Sequence, residues 1–270
     1  MKIEEFKNYL KINIDSQNTR RQYLSRLSMF FNEYGEFNQL TVNDFLATCV
    51  DKELKAHTFN GYMNALKHYS KFIKLDIEFP KQKRAEKTEQ GSLTMDEIEK
   101  EILPYFQYIF KKPELKKLVF RLLFTSGMRP FELINLKKEG LNYKDGYIHI
   151  TKTKNKKARM TLLAPSLQSD LKKQCESSNT EYIFNITNAF IVNMFKSLNE
   201  NLNYKNHLHA YMLRHGFANH CVKNGIPMPE LQKYMGHWDI SMTMNYIKNI
   251  QTKEDIKIGN KKFKFKKGEK

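Results

Sequence analysis

Three cysteines, Cys49, Cys175 and Cys221, are all that the 270 residues contain. They are odd in number, far apart and form no CxxC pair, which argues against a disulfide framework or a zinc site and fits a reducing compartment. No apolar run approaches the roughly 20 residues needed to span a bilayer. The N-terminus, MKIEEFKNYL, mixes acidic and basic residues and lacks the apolar stretch of a signal peptide. A soluble, cytoplasmic protein without membrane contact is therefore expected. HExxH, Cys/His ligand spacing, a DxD pair and a Walker loop are missing too. A metal-dependent nuclease or an ATPase lacks its parts, and no metal or other cofactor is expected. No internal repeat is visible.

What the chain does have is positive charge. Lys and Arg total 46 against 29 Asp and Glu, a formal net charge of +17. Such a charge repels itself unless something anionic lies nearby. Nucleic acid is the first candidate partner, because neutralising phosphates releases counterions. The alternative is a basic protein with no polyanionic partner. A hydrophobic share of 40%, with 19 Phe and 14 Tyr, supports packed cores rather than disorder.

Along the chain, helical spacing dominates. From Thr19, the segment TRRQYLSRLSMFFNEYG places Tyr23, Leu27, Phe30, Phe31 and Tyr34 on one face, and Gly35 stops it. Thr41 is expected to open a second helix, with Asp44 three residues on and Leu40 and Phe45 as a hydrophobic staple. A third runs through HTFNGYMNALKHYSKFI. The aromatic stripes are read as core. Arg20, Arg21, Arg26, Lys67 and Lys71 lie opposite, either as a solvated face or as phosphate contacts. Residues 1–80 thus form a helical domain. Residues 81–91, within the charged, aperiodic stretch PKQKRAEKTEQG, read as a linker.

A second domain, 92–250, opens with a capping box of Thr94 and Glu97 and a Leu93/Ile98 staple. LKKLVFRLLFTSG ends at Gly127, and Pro130 suits a first helical position. YIHIT and ARMTLLA, joined by KTKNKK, read as a β-hairpin. Further helices are expected in TNAFIVNMFKSLNENL, HAYMLRHGFANHCVKNG, PELQKYMG and ISMTMNYIKN. Residues 251–270 form a basic tail.

To attack a DNA phosphodiester without a metal, a protein needs fixed cations for the two non-bridging oxygens. It also needs an in-line nucleophile and an acid for the departing 5′ oxygen. Arginine suits the first task because its fork stays charged and donates bidentate bonds. The residues left for such chemistry here are Arg, Lys, His and Tyr.

In that light five stretches stand out: TSGMRPFELINL, the lysine-bearing hairpin, YMLRHGFANH, YMGHWD and MTMNYIKN. In order and spacing they resemble the motifs of the tyrosine recombinase family, of phage-integrase and Xer type. Arg214 and His237 are 23 residues apart, and His237 and Tyr246 nine. The N-terminal region also resembles the family's helical core-binding domain, so the likeness covers about residues 1 to 250. Each motif alone is weak, and five in the right order are strong.

The resemblance implies a mainly α fold with a small β-sheet, as a two-domain C-shaped clamp on double-stranded DNA. It implies a recombinase that cleaves and rejoins DNA through a 3′-phosphotyrosyl link without metal or ATP. Arg129 and Arg214 would clamp the phosphate, His237 would bond one of its oxygens, and Tyr246 would be the nucleophile. Lys152 is preferred over Lys154 as general acid. Lys154, Lys156 and Lys157, with Arg20, Arg21 and Lys67, would bind DNA. Glu132 would orient the basic groups and His215 would support them. Tyr211 departs from the pattern, standing where the family usually has His or Lys. It keeps an O–H donor but supplies no positive charge. The resemblance further implies four protomers on two DNA sites, with the tail a candidate for exchange between neighbours. The rival readings are a DNA-binding protein without activity, which Tyr211 favours, and a type IB topoisomerase, which the small N-terminal region disfavours.

Overall fold

In a computed structural model the described residues are 3–84, 91–151, 157–237, 239–240 and 243–244. The chain divides into two compact units, Met1–Glu89 and Gln90–Lys270. The fold is mainly helical with one small sheet. No helix among the described residues is long and apolar enough to cross a membrane.

The first unit holds α1 (Ile3–Asn13), α2 (Gln17–Tyr34), α3 (Gln39–Asp51) and α4 (Ala56–Ile73). The start of α2 lies earlier than Thr19. Ser16 caps it, accepting from the backbone N–H of Thr19 at 3.3 Å, and Gly35 closes it in a positive-φ conformation. The expected opening of α3 at Thr41 is corrected. Asn38 is the N-cap, its side chain accepting from the N–H of Thr41, while the Thr41 hydroxyl accepts from the N–H of Asn38. Asparagine is the better cap, and Thr41 serves as the reciprocal third residue of the box. Leu40 is 70% exposed and staples nothing. The aromatic stripes are core. Phe30 meets Phe31, Phe37 and Phe45 edge-on, and Tyr69 meets Phe6, Phe31 and Phe37 in the same manner. Arg26 does not stand out in solvent. Its guanidinium lies over the Tyr62 ring and against Gly61, where a Cβ would lie 2.4 Å away.

In the second unit the capping box forms as read: Thr94 N–H donates to Glu97, and Glu97 N–H to the Thr94 hydroxyl. Leu93 and Ile98 are both buried. The helix that follows is wound as a π-turn over Glu97–Ile102 and then as a 3₁₀ turn over Leu103–Tyr105 before α5 (Phe106–Ile109). Pro104, which has no N–H to give, lies in that 3₁₀ turn. Next come α6 (Pro113–Ser126) and the short α7 (Pro130–Ile134), with Pro130 at the first position. The expected hairpin is β2 (Tyr147–Ile150) with β3 (Arg159–Leu162), antiparallel, Ile148 opposite Thr161 and Ile150 opposite Arg159. A short strand β1 (Leu141–Asn142) extends it to three, which the alternation did not signal because two residues carry no period. Helices α8 (Gln168–Ser177), α9 (Asn188–Asn201), α10 (Ala210–Lys223) and α11 (Met228–Met235) complete the α-helices among the described residues. The main core gathers Phe120, Leu122, Leu123, Phe195 and Leu213, and a smaller cluster of Phe217, Cys221, Leu231 and Met235 joins α10 to α11.

Candidate active site

Two glycines shape the approach to the site. Gly127 ends α6 at φ +60°, and a Cβ there would stand 2.3 Å from the Phe217 ring. Gly236 ends α11 at φ +59°, and its Cβ would stand 2.5 Å from Arg159. Only glycine meets both demands, left-handed backbone and close approach. Each delivers the chain at once to a candidate residue: Gly127 to Arg129, Gly236 to His237.

Arg129 is the N-cap residue of α7. Glu132, one turn on, accepts from the Arg129 backbone N–H at 2.8 Å and from its guanidinium at 3.0 Å. A third residue completes the group. Arg159, on β3, donates to Glu132 at 2.6 Å through Nη2 and at 3.4 Å through Nε, and also donates to the carbonyl of Tyr234. Burial pushes the Glu132 carboxyl up, but the hydrogen bond and charge of Arg159, with Arg129, more than offset it, and its pKa ends below the ordinary carboxylate value. One buried carboxylate between two guanidiniums leaves a surplus positive charge.

Arg214, on α10, is 3% exposed. Its guanidinium donates to the carbonyls of Gly127 and Met235, at the C-terminal ends of α6 and α11. Helix C-termini carry partial negative charge and favour a cation there. This arginine therefore ties three helices together beside the residues the two glycines deliver.

His237 follows Gly236, with Nδ1 2.9 Å from the Thr243 hydroxyl. Burial pushes its pKa down to about 4, helped by Arg214, Arg129, Arg159 and His215. His215 is likewise lowered to about 4, by burial first and then by Arg214 and His209. A cleft of about 660 Å³ opens here, with Arg129, Lys157, Arg159, Tyr234 and His237 in its wall.

The candidates drawn together are thus Arg129, Glu132, Arg214, His215 and His237, with Lys157 at the cleft. Tyr211 shares α10 with Arg214 but is 51% exposed and does not line the cleft. Lys152, Lys154, Lys156, Tyr246 and the tail lie outside the described residues. Arg20, Arg21 and Lys67 sit in the first unit, Arg21 exposed and the other two half-buried. Two residues escaped the sequence reading, Arg159 and Thr243. Arg159 had a signal, since strand alternation opposite Ile148 and Ile150 turns it and Thr161 inward and Met160 outward. Thr243 had none beyond its place three residues before Tyr246.

Residues 92–253 match the family model "Phage integrase family", and residues 3–76 match "Phage integrase, N-terminal SAM-like domain". The chain belongs to the phage integrase family. Family members are enzymes that break and rejoin DNA strands. Among similar proteins is the tyrosine recombinase XerA of Pyrococcus horikoshii, 28% identical over 260 residues, covering 91% of this chain and 88% of the relative. The tyrosine recombinase XerD of Staphylococcus epidermidis is 24% identical over 274 residues, covering 90% and 92%. Solved structures of phage integrase type share the fold. A lambda integrase dimer bound to a core site has a TM-score of 0.68 at 18% identity, covering 98% of this chain and 97% of that one. A Tn1549 transposon integrase with transposon right end DNA has a TM-score of 0.69 at 14% identity, covering 90% and 93%.

Proposed function

We propose that this integrase-family chain is a site-specific recombinase that cleaves and rejoins duplex DNA through a 3′-phosphotyrosyl intermediate at Tyr246. The observation that carries the reading is that Arg129 and His237 line one cleft, while Arg214 binds the carbonyls of Gly127 and Met235, each two residues before one of them. Two guanidiniums and an N–H donor suit the non-bridging oxygens of a single phosphate. A phenol with an ordinary pKa near 10 needs such a cationic field to attack at neutral pH.

In this reading the Tyr246 oxygen attacks phosphorus, and the P–O5′ bond breaks. Lys152, preferred over Lys154, gives its proton to the leaving 5′ oxygen. The 5′ hydroxyl of a second strand then attacks the phosphotyrosine, restores the phosphodiester and releases the phenol. Bond energy is conserved throughout. Tyr211 contributes at most an O–H, not a charge. Lys154, Lys156, Lys157, Arg20, Arg21 and Lys67 hold the duplex, four protomers act on two sites, and the tail after Thr252 is exchanged between them.

The test is covalent trapping. Randomly nicked genomic DNA of the source organism, incubated with the protein and denatured in detergent, should yield a protein–DNA adduct at a defined sequence. The adduct should vanish in Tyr246→Phe. Specific binding in footprints with no adduct from the wild type would instead favour the reading that Tyr211 supports, a DNA-binding protein without chemistry.

A further inference from the structure

Thr243 is fully buried, and the one hydrogen bond its hydroxyl makes among the described residues joins it to Nδ1 of His237 at 2.9 Å. The direction of that bond follows from counting protons. A hydroxyl has one proton to donate, and a neutral imidazole has one N–H and one acceptor nitrogen. Were Nδ1–H the donor, the threonine proton would be buried without an acceptor among the described residues, and its desolvation would go uncompensated. With the hydroxyl as donor, both atoms are satisfied. The imidazole is neutral at pH 7, since burial and the surrounding cations hold its pKa at about 4. A single ring proton must therefore choose between two nitrogens, and the partner of one decides the other.

We propose that Thr243 is a positioning residue: by donating to Nδ1 it holds the His237 proton on Nε2, the nitrogen that bonds the scissile phosphate. With Nδ1 committed to Thr243, a bond from this ring to a phosphate in the cleft must come from Nε2. A lone pair there would repel the phosphate oxygen, and an N–H attracts it. Thr243 precedes Tyr246 by three residues, so the same segment that carries the nucleophile sets the histidine's tautomer. The purpose of the contact rests on the recombinase reading, whereas its geometry does not.

Two variants and two readouts test this. Thr243→Val keeps the shape and removes the hydroxyl, and Thr243→Ser keeps the hydroxyl. Nitrogen-15 NMR of the full chain without DNA, at pH 7, reads the tautomer directly. The wild type and the serine variant should be protonated at Nε2, and the valine variant should move toward Nδ1–H. In the trapping assay the valine variant should cleave roughly 10- to 100-fold more slowly, the scale on which loss of an orienting partner acts, with DNA affinity unchanged and serine restoring the rate. A wild-type ring protonated at Nδ1, or a valine variant that keeps Nε2–H and the full rate, overturns the inference. Absence of any adduct from the wild type would count against the recombinase reading, and the tautomer would then be judged on the spectrum alone.

Discussion

Glu132 has no solvent-exposed side-chain surface, and it sits between Arg129 at 3.0 Å and Arg159 at 2.6 Å. At the scale of single residues this carboxylate is the point on which the site depends. Removing one partner of a buried pair leaves the others uncompensated, at roughly 3–5 kcal/mol. Glu132→Ala should therefore lower the unfolding free energy by about that amount in denaturant melts, with two guanidiniums left facing each other. A loss below about 1 kcal/mol would show that water or another acceptor replaces the carboxylate. The positions of Arg129, Arg214 and His237 were legible from the order and spacing of their motifs. Their partners were not. Arg159 reads in isolation as surface charge on a strand. Its inward turn follows only from the register with Ile148 and Ile150, and its mate is 27 residues away.

Helix ends do most of the positioning at the next scale. Gly127 and Gly236 turn α6 and α11 toward the cleft, and Arg214 binds the carbonyls at both ends. Gly127→Ala would add left-handed strain of roughly 1–2 kcal/mol and force the Phe217 ring aside, an overpacking cost of about 1–3 kcal/mol. Thermal melts should show the loss, and pairing the change with Phe217→Leu should recover the packing share but not the backbone share. Full recovery, or no loss, would mean that the turn does not need its left-handed conformation. Caps and strong periodicity made most elements readable, including the Thr94/Glu97 box and the stop at Gly127. The start of α3 was misjudged because Asn38 and Thr41 both have capping side chains and bond reciprocally, so Thr41, the third residue of the box, was taken for its first although asparagine is the stronger cap. β1 and α8 passed unnoticed: the first is too short for a period, and the second has only Leu171 fully buried.

For the molecule as a whole, charge sets the response to its surroundings. His215 and His237 are held near pKa 4 by burial first and by Arg214 next, against about 6.5 in the unfolded chain. Between those values the unfolded state binds more protons, so stability is complete above pH 6.5 and declines as pH falls toward 4. Glu132, with its pKa below the ordinary carboxylate value, adds a loss of the same sign at lower pH. Melting temperatures of the second unit should fall steadily from pH 6.5 to pH 4, with a shallower slope in His215→Gln. A flat profile over that range would mean that the two rings are solvated. The formal charge of +17 was the first sign of a polyanionic partner, and the cleft adds to it a wall that holds Arg129, Lys157, Arg159 and His237.

The measurement that bears most directly on the whole account is the identity of the residue that carries the DNA. After detergent trapping, nuclease digestion and proteolysis, mass spectrometry should find a nucleotide remnant on the peptide containing Tyr246 and on no other tyrosine. A remnant on Tyr211 or Tyr234, or a specific complex in which no tyrosine is modified, would contradict it.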